Sequence, residues 1–196
     1  MKTLLTSACA LLLSIMTGTV AKSQSFTIDP AASQLSWTGY AEVGSWAPTG
    51  SIQVASGHLT MSGAQLRSAT LTMAMTTIQH ENKQMQEHLR SDAFFDVARF
   101  PQATFTLRTL AGTTATGQLT IKGVTRSITF PVGISQTSAG VRIKGKAIVD
   151  RTQYGIRYNS SSFFTDLGDQ AIRNDFTLTF DLLAKPAGSR NHSHTR

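Results

Sequence analysis

The stretch "GQLTIKGVTRSITFPVGI", residues 117 to 134, decides the fold. Leu119 and Ile121 alternate with polar neighbours, and after Lys122 and Gly123 the alternation resumes through Ile128, Phe130, Val132 and Ile134. An apolar side chain at every second residue is the signature of a strand with one buried face. Gly123 marks the turn between two such strands, and Gly117 reads as the turn that opens the first.

The same period of two runs outward in both directions. Upstream it passes through Leu35 and Trp37, then Ile52 and Val54, Leu59 and Met61, then Leu71, Met73 and Met75, and Phe105 with Leu107. Downstream it passes through Val141, Ile143, Ala147 and Val149, and ends with Phe176, Leu178, Phe180 and Leu182. Glycine-rich links such as Gly112 and the run Thr137 to Gly140 separate the strands. About eight strands with hairpin-length links make an all-β chain, a single antiparallel barrel or sandwich.

Two segments break the rhythm. Gln79 to Arg90, "QHENKQMQEHLR", is rich in helix formers, with Met85 and Leu89 at i, i+4; it predicts a helix laid against one end of the sheet. Asp150 to Ile172 has no period and reads as a long late loop with one helical turn. That loop carries Tyr154, Tyr158, Phe163 and Phe164, a composition suited to a loop over a cavity mouth.

Between helix and next strand lies "HLRSDAFFDVARFPQATF", residues 88 to 105, with four phenylalanines in one short segment. Ser91 is placed to cap a second short turn, and Phe94 and Phe95 point in different directions on it. Pro101 stops any helix and biases Phe100 toward extended backbone. Phe94, Phe95 and Phe100 therefore read as a plug that closes one barrel end or lines its throat.

Other features bound the function. Lys2 followed by the apolar run from Leu4 to Met16 reads as a secretory signal, cleaved after Ala21 or Ser23; it is too short to span a bilayer. The domain plan is a signal over 1–23, a barrel over 24–185 and a flexible basic tail over 186–196. Cys9 is the only cysteine and lies in the signal, which removes thiolate chemistry and disulfides from the mature chain. The formal charge is +7, and loss of Lys2 and Lys22 leaves +5, three of it on Lys185, Arg190 and Arg196. With no Lys/Arg cluster interleaved with aromatics, nucleic acid is not a partner, and weak contact with an anionic membrane surface is the simpler meaning.

No catalytic set stands out. There is no G-x-S-x-G elbow, no H-E-x-x-H and no phosphate loop. His58, His80 and His88 lack companions at metal spacing, His192 and His194 lie in the tail, and Asp92 with Asp96 reads as caps and solvated charges. Neither a metal nor a cofactor is expected, and the chain is read as a binding protein, not an enzyme.

The blocks "IDPAASQLSW", "HLRSDAFFDVARFPQATF", "GQLTIKGVTRSITFPV", "DRTQYGI" and "LGDQAIRNDFTLTFDLLA" together resemble the YceI-like, polyisoprenoid-binding proteins of the bacterial envelope, over Phe26 to Ala184. The resemblance implies a lipocalin-like eight-stranded antiparallel barrel whose interior tunnel holds an isoprenoid or fatty-chain amphiphile. It also implies a periplasmic or secreted location. Many relatives carry an Arg-Asp pair before the His-Leu of the middle block, where this chain reads "KQMQEHLR", so the resemblance carries the fold over more closely than the ligand class.

The expected tunnel lining is the inward set: Trp37, Leu71, Met73, Met75, Phe105, Leu107, Leu119, Ile121, Phe130, Val132, Ile143, Leu178 and Phe180. Tyr154 and Tyr158 are the candidates for holding a head group at the mouth. Three functions remain open on residues alone: a lipid-tail carrier or store, a closed-core stress-response or protein-interaction module, and a small hydrolase or isomerase using His88. Whether two barrels pair as a homodimer is left open as well.

Overall fold

The computed structural model describes residues 22–188. The expected signal over residues 1–21, Cys9 included, and His192 and His194 of the expected tail lie outside the described residues. Among the described residues nine strands form one sheet: β1 Ser23–Ile28, β2 Gln34–Thr38, β3 Thr49–Ser62, β4 Gln65–Gln79, β5 Gln102–Ala111, β6 Thr114–Ile121, β7 Val124–Thr137, β8 Gly140–Asp150 and β9 Asp175–Pro186. All neighbours are antiparallel, and the β3–β4 pairing closes the sheet on itself.

Nine strands make eight staves. Both β1 and β2 lie between β3 and β9, one on the lower half and one on the upper. The break between them is local chemistry: Pro30 opens a 3-10 turn over Pro30–Ala32, and the Asp29 carboxylate accepts the Ala31 N–H at 3.0 Å. Ser33 bridges the gap by donating its hydroxyl to Asp29 O at 2.7 Å and accepting the Leu183 N–H at 3.1 Å. The result is the closed eight-stranded lipocalin-like barrel, with inward residues at period two.

The helix α1 is shorter than its helix-former composition suggested, Lys83–Arg90. Asn82 caps it by accepting the Met85 N–H at 3.1 Å, and Arg90 in its last turn complements the helix dipole. It lies at the upper end, between β4 and β5, with Leu89 buried. The expected short turn follows over 92–95, but Ser91 receives Phe94 N and Asp96 N with its carbonyl rather than capping the turn with its side chain. The upper end also carries the loop 39–48, the β6–β7 turn and the long loop 151–174. No helix among the described residues is long and apolar enough to cross a membrane.

Gly117 is not a turn residue. It sits inside β6 opposite Ile128, on the inward face with Leu119, and an added Cβ there would lie 2.4 Å from the Phe105 ring. Gly145 on β8 has the same relation to the Phe180 ring, at 2.5 Å. The missing side chains let these two rings lie against the wall instead of projecting across the lumen.

On the outer wall, Asp181 takes two hydrogen bonds from Arg142, at 2.6 and 2.8 Å, and an ion pair from Lys144 at 3.0 Å. The Arg142 hydrogen bond is the main cause that holds its carboxyl down to about 2. A depressed folded value means that the stabilisation is present above the unfolded carboxylate range near 3.8 and is lost as pH falls toward 2. Asp181→Asn is therefore expected to flatten the fall in stability between pH 4 and 2 relative to wild type, measured by urea titration at each pH.

Candidate functional site: two apolar chambers in the barrel

The lumen is not filled by its side chains. An upper chamber of about 100 Å³ lies under α1 and the long loop, and a lower one of about 80 Å³ fills the other half. One water needs roughly 10–15 Å³, so each is several times larger than an incidental packing defect. Met73 and Leu178 line both chambers and mark the waist between them.

The inward set divides between them. Trp37, Met75 and Ile121, with Phe94 and Phe95, line the upper chamber. Leu71, Phe105, Leu107, Leu119, Phe130, Val132, Ile143 and Phe180 line the lower one. Phe105, Phe130 and Phe180 form a ring chain with centroids 5.3 and 5.7 Å apart.

Three candidates lie outside the lining. Phe100 packs over Gly123, where an added Cβ would meet its ring at 2.9 Å, and carries Arg99 on its face; Pro101 turns it away from the throat. Tyr154 is buried within the 3-10 turn Arg151–Tyr154, and its hydroxyl has no partner. Burial pushes its phenol up to about 12, against the opposing charge of Arg126. Tyr158 sits outside the throat, edge-on to His88 at 4.3 Å and tilted to Phe94 at 6.0 Å, so it clamps the loop to the helix rather than entering the chamber.

The sequence pattern missed several upper-chamber residues on loops, where periodicity has no meaning: Tyr40, Trp46, Arg151, Ile172 and Arg173. Arg151 is the most consequential. It is only 2 % exposed and donates to three carbonyls, from Nε to Arg173 at 3.0 Å, Nη1 to Ile156 at 3.1 Å and Nη2 to Ile172 at 2.9 Å. Its guanidinium lies 5.7 Å over Phe94. Burial lowers its pKa from the usual arginine value, against the charge of Asp150. The fork thus ties both ends of the long loop to the barrel rim.

His88 has Phe94 and Tyr158 as neighbours and a buried Nε2 without a partner. Asp96 is buried, pairs with Arg99 at 3.5 Å and is separated in role from Asp92, whose carbonyl receives Lys122 Nζ. No group of three His, Cys, Asp or Glu among the described residues is arranged to hold a metal.

Known proteins share this architecture. The chain is 32 % identical over 100 residues to a UPF0312 protein of Staphylococcus aureus (strain USA300), covering 47 % of this chain and 58 % of that one, so it matches little more than half the length of that relative. Among solved structures, Burkholderia cenocepacia BcnA superposes with a TM-score of 0.66 at 22 % identity, over 81 % of this chain and 99 % of its own. A polyisoprenoid binding domain from Saccharophagus degradans, implicated in plant cell wall breakdown, does so with 0.63 at 16 % identity, over 85 % and 99 %. The model of the YceI-like domain matches residues 26–184, essentially the whole barrel from β1 to β9, and the chain belongs to the YceI-like family.

Proposed function

We propose that this protein binds the hydrocarbon tail of an isoprenoid or other long-chain amphiphile inside the barrel, as an exported carrier or store and not as an enzyme. The observation that carries the reading is the pair of apolar chambers that share Met73 and Leu178 in their linings. Burying one methylene is worth about 0.8 kcal/mol, so roughly five to twenty carbons offset an association cost of roughly 4–15 kcal/mol without a charged anchor. Met73, Met75 and Met85 around the upper chamber suit a tail of variable shape, because the thioether bends to fit. The likeness to a polyisoprenoid binding domain supports the same ligand class. Export to the periplasm or medium is supported by Lys2 and the apolar run Leu4 to Met16.

The test is native mass spectrometry with organic extraction, on protein purified from an envelope fraction. A stoichiometric adduct that extracts as a long-chain isoprenoid or fatty compound is expected. A bare mass, unchanged after incubation with such lipids, overturns the reading in favour of a protein-binding module. Leu178→Trp supplies a second check: a ring at the waist is expected to weaken binding of a 16-carbon alcohol at least tenfold while an 8-carbon alcohol loses less than threefold, measured by calorimetry.

A further inference from the structure

The ladder between β7 and β8 covers only half of β7. The lower half of β7 pairs with β8 from Val132–Gly145 to Thr137–Gly140, whereas its upper half, Val124 to Pro131, pairs only with β6. From Lys146 to Asp150, β8 pairs only with β9. Pro131 stands where the ladder stops. The Val132 N–H points to the β6 side, toward Thr113 O, so residue 131 is the one that would donate to β8, and proline has no N–H to give. Continuing the register would put Phe130 opposite Ala147, but that pairing is not made.

Arg126 stands on the stretch of β7 that does not pair with β8. Its ladder partner is Leu119, a lower-chamber residue that is 1 % exposed. Directly opposed residues of an antiparallel pair project to the same face, so Arg126 leaves the inner face of the barrel, two residues from Ile128 of the lower chamber. It is nevertheless exposed. Arg126 is thus a solvated cation that leaves the inner face, while Phe130, Ala147 and Tyr154 along the unmade pairing stay buried. Its guanidinium makes only a 3.5 Å contact with Thr125 O and no ion pair with any described residue. The turn Arg151–Tyr154 packs against β7, and its Tyr154, with a buried and unpartnered hydroxyl, is near enough to feel the charge of Arg126. The neighbouring carboxylate, Asp150, is committed to Thr152 N and Oγ1 and to Gln153 Nε2.

We propose that the gap between β7 and β8 is a side portal to the lower chamber and that Arg126, with the Tyr154 hydroxyl, binds the anionic head group of an amphiphile whose tail lies in that chamber. The inference rests on the tail-binding reading and adds to it a charge preference: a carboxylate or phosphate head over a neutral one. An exposed cation beside an apolar lumen gains a charge-assisted hydrogen bond from either acid, and tail burial holds the acid in place.

The probes are hexadecanoate, hexadecyl phosphate and hexadecanol, titrated into delipidated full-length mature protein by calorimetry below their critical micelle concentrations. Wild type is expected to bind both acids at least tenfold more tightly than the alcohol, with the tighter acid naming the head group. Arg126→Gln is expected to abolish that preference while leaving hexadecanol binding within twofold. Tyr154→Phe is expected to reduce the preference three- to fivefold. Arg108→Gln, the same loss of charge at an exposed β5 position, is expected to change neither affinity. Equal affinity of wild type for acids and alcohol, an undiminished preference in Arg126→Gln, or an equal loss in Arg108→Gln overturns the portal site while leaving tail binding in place. Failure of wild type to bind any of the three probes overturns both.

Discussion

Arg151→Met is expected to destabilise the protein by about 3 kcal/mol or more and to release the long loop from the barrel. Methionine has comparable length but no donor, so the carbonyls of Ile156, Ile172 and Arg173 lose the partners that now hold them. Leaving one buried carbonyl unpaired costs roughly 1–3 kcal/mol, and here three are orphaned together. Relief from burying a guanidinium offsets part of that loss. Arg151→Lys separates geometry from charge, since a single ammonium cannot span three carbonyls in a fixed fork; it is expected to recover less than half of the loss. Urea titration gives the stability, and limited proteolysis within 155–174 gives the state of the loop. Wild-type stability and protection in Arg151→Met would show that the three hydrogen bonds do not hold the loop.

Gly117→Val is expected to destabilise by roughly 1–3 kcal/mol, the usual range for overpacking, and to close the lower chamber. The first added carbon alone would lie 2.4 Å from Phe105 Cζ and 2.5 Å from the Thr106 carbonyl oxygen. The ring can relieve its clash by swinging into the lumen, where it takes the volume of the cargo; the backbone oxygen cannot move that way without distorting the β5–β6 ladder. Long-chain alcohol affinity is therefore expected to fall at least tenfold, more than stability alone would require. Adding Phe105→Ala to Gly117→Val is expected to restore much of the affinity but little of the stability, because only the ring clash is removed. A Gly117→Val protein of wild-type stability and affinity would show that the seat under Phe105 is not needed.

The alternation by itself determined an antiparallel all-β chain and its inward face, and the family resemblance chose barrel over sandwich. Period-two patterning is a direct consequence of pleated geometry, so Leu119, Phe130, Ile143 and Phe180 were assignable to the lumen without coordinates. The helix was legible as well, because Met85 and Leu89 share a face at i, i+4, although its start waited on the Asn82 cap. The division of the lumen at Met73 and Leu178 was not legible, since both obey the same alternation as their neighbours.

Tertiary structure alone decided the rest. Gly117 looked like a turn residue because glycine punctuates loops; only the position of the Phe105 ring shows it as a seat within a strand. Tyr154, Tyr158 and Arg151 share one aperiodic loop, and their separate fates, a buried hydroxyl, an outer clamp and a three-way fork, follow from contacts with chain far away in sequence. Arg126 shows the distinction most plainly. Alternation places it on the inner face, where a charge looks like an error in the pattern, yet it is exposed, on the stretch of β7 that does not pair with β8. Periodicity reports which face a side chain leaves from, but whether that face is covered depends on which strand lies beside it, and strand pairing across the barrel is long-range information that no local pattern contains.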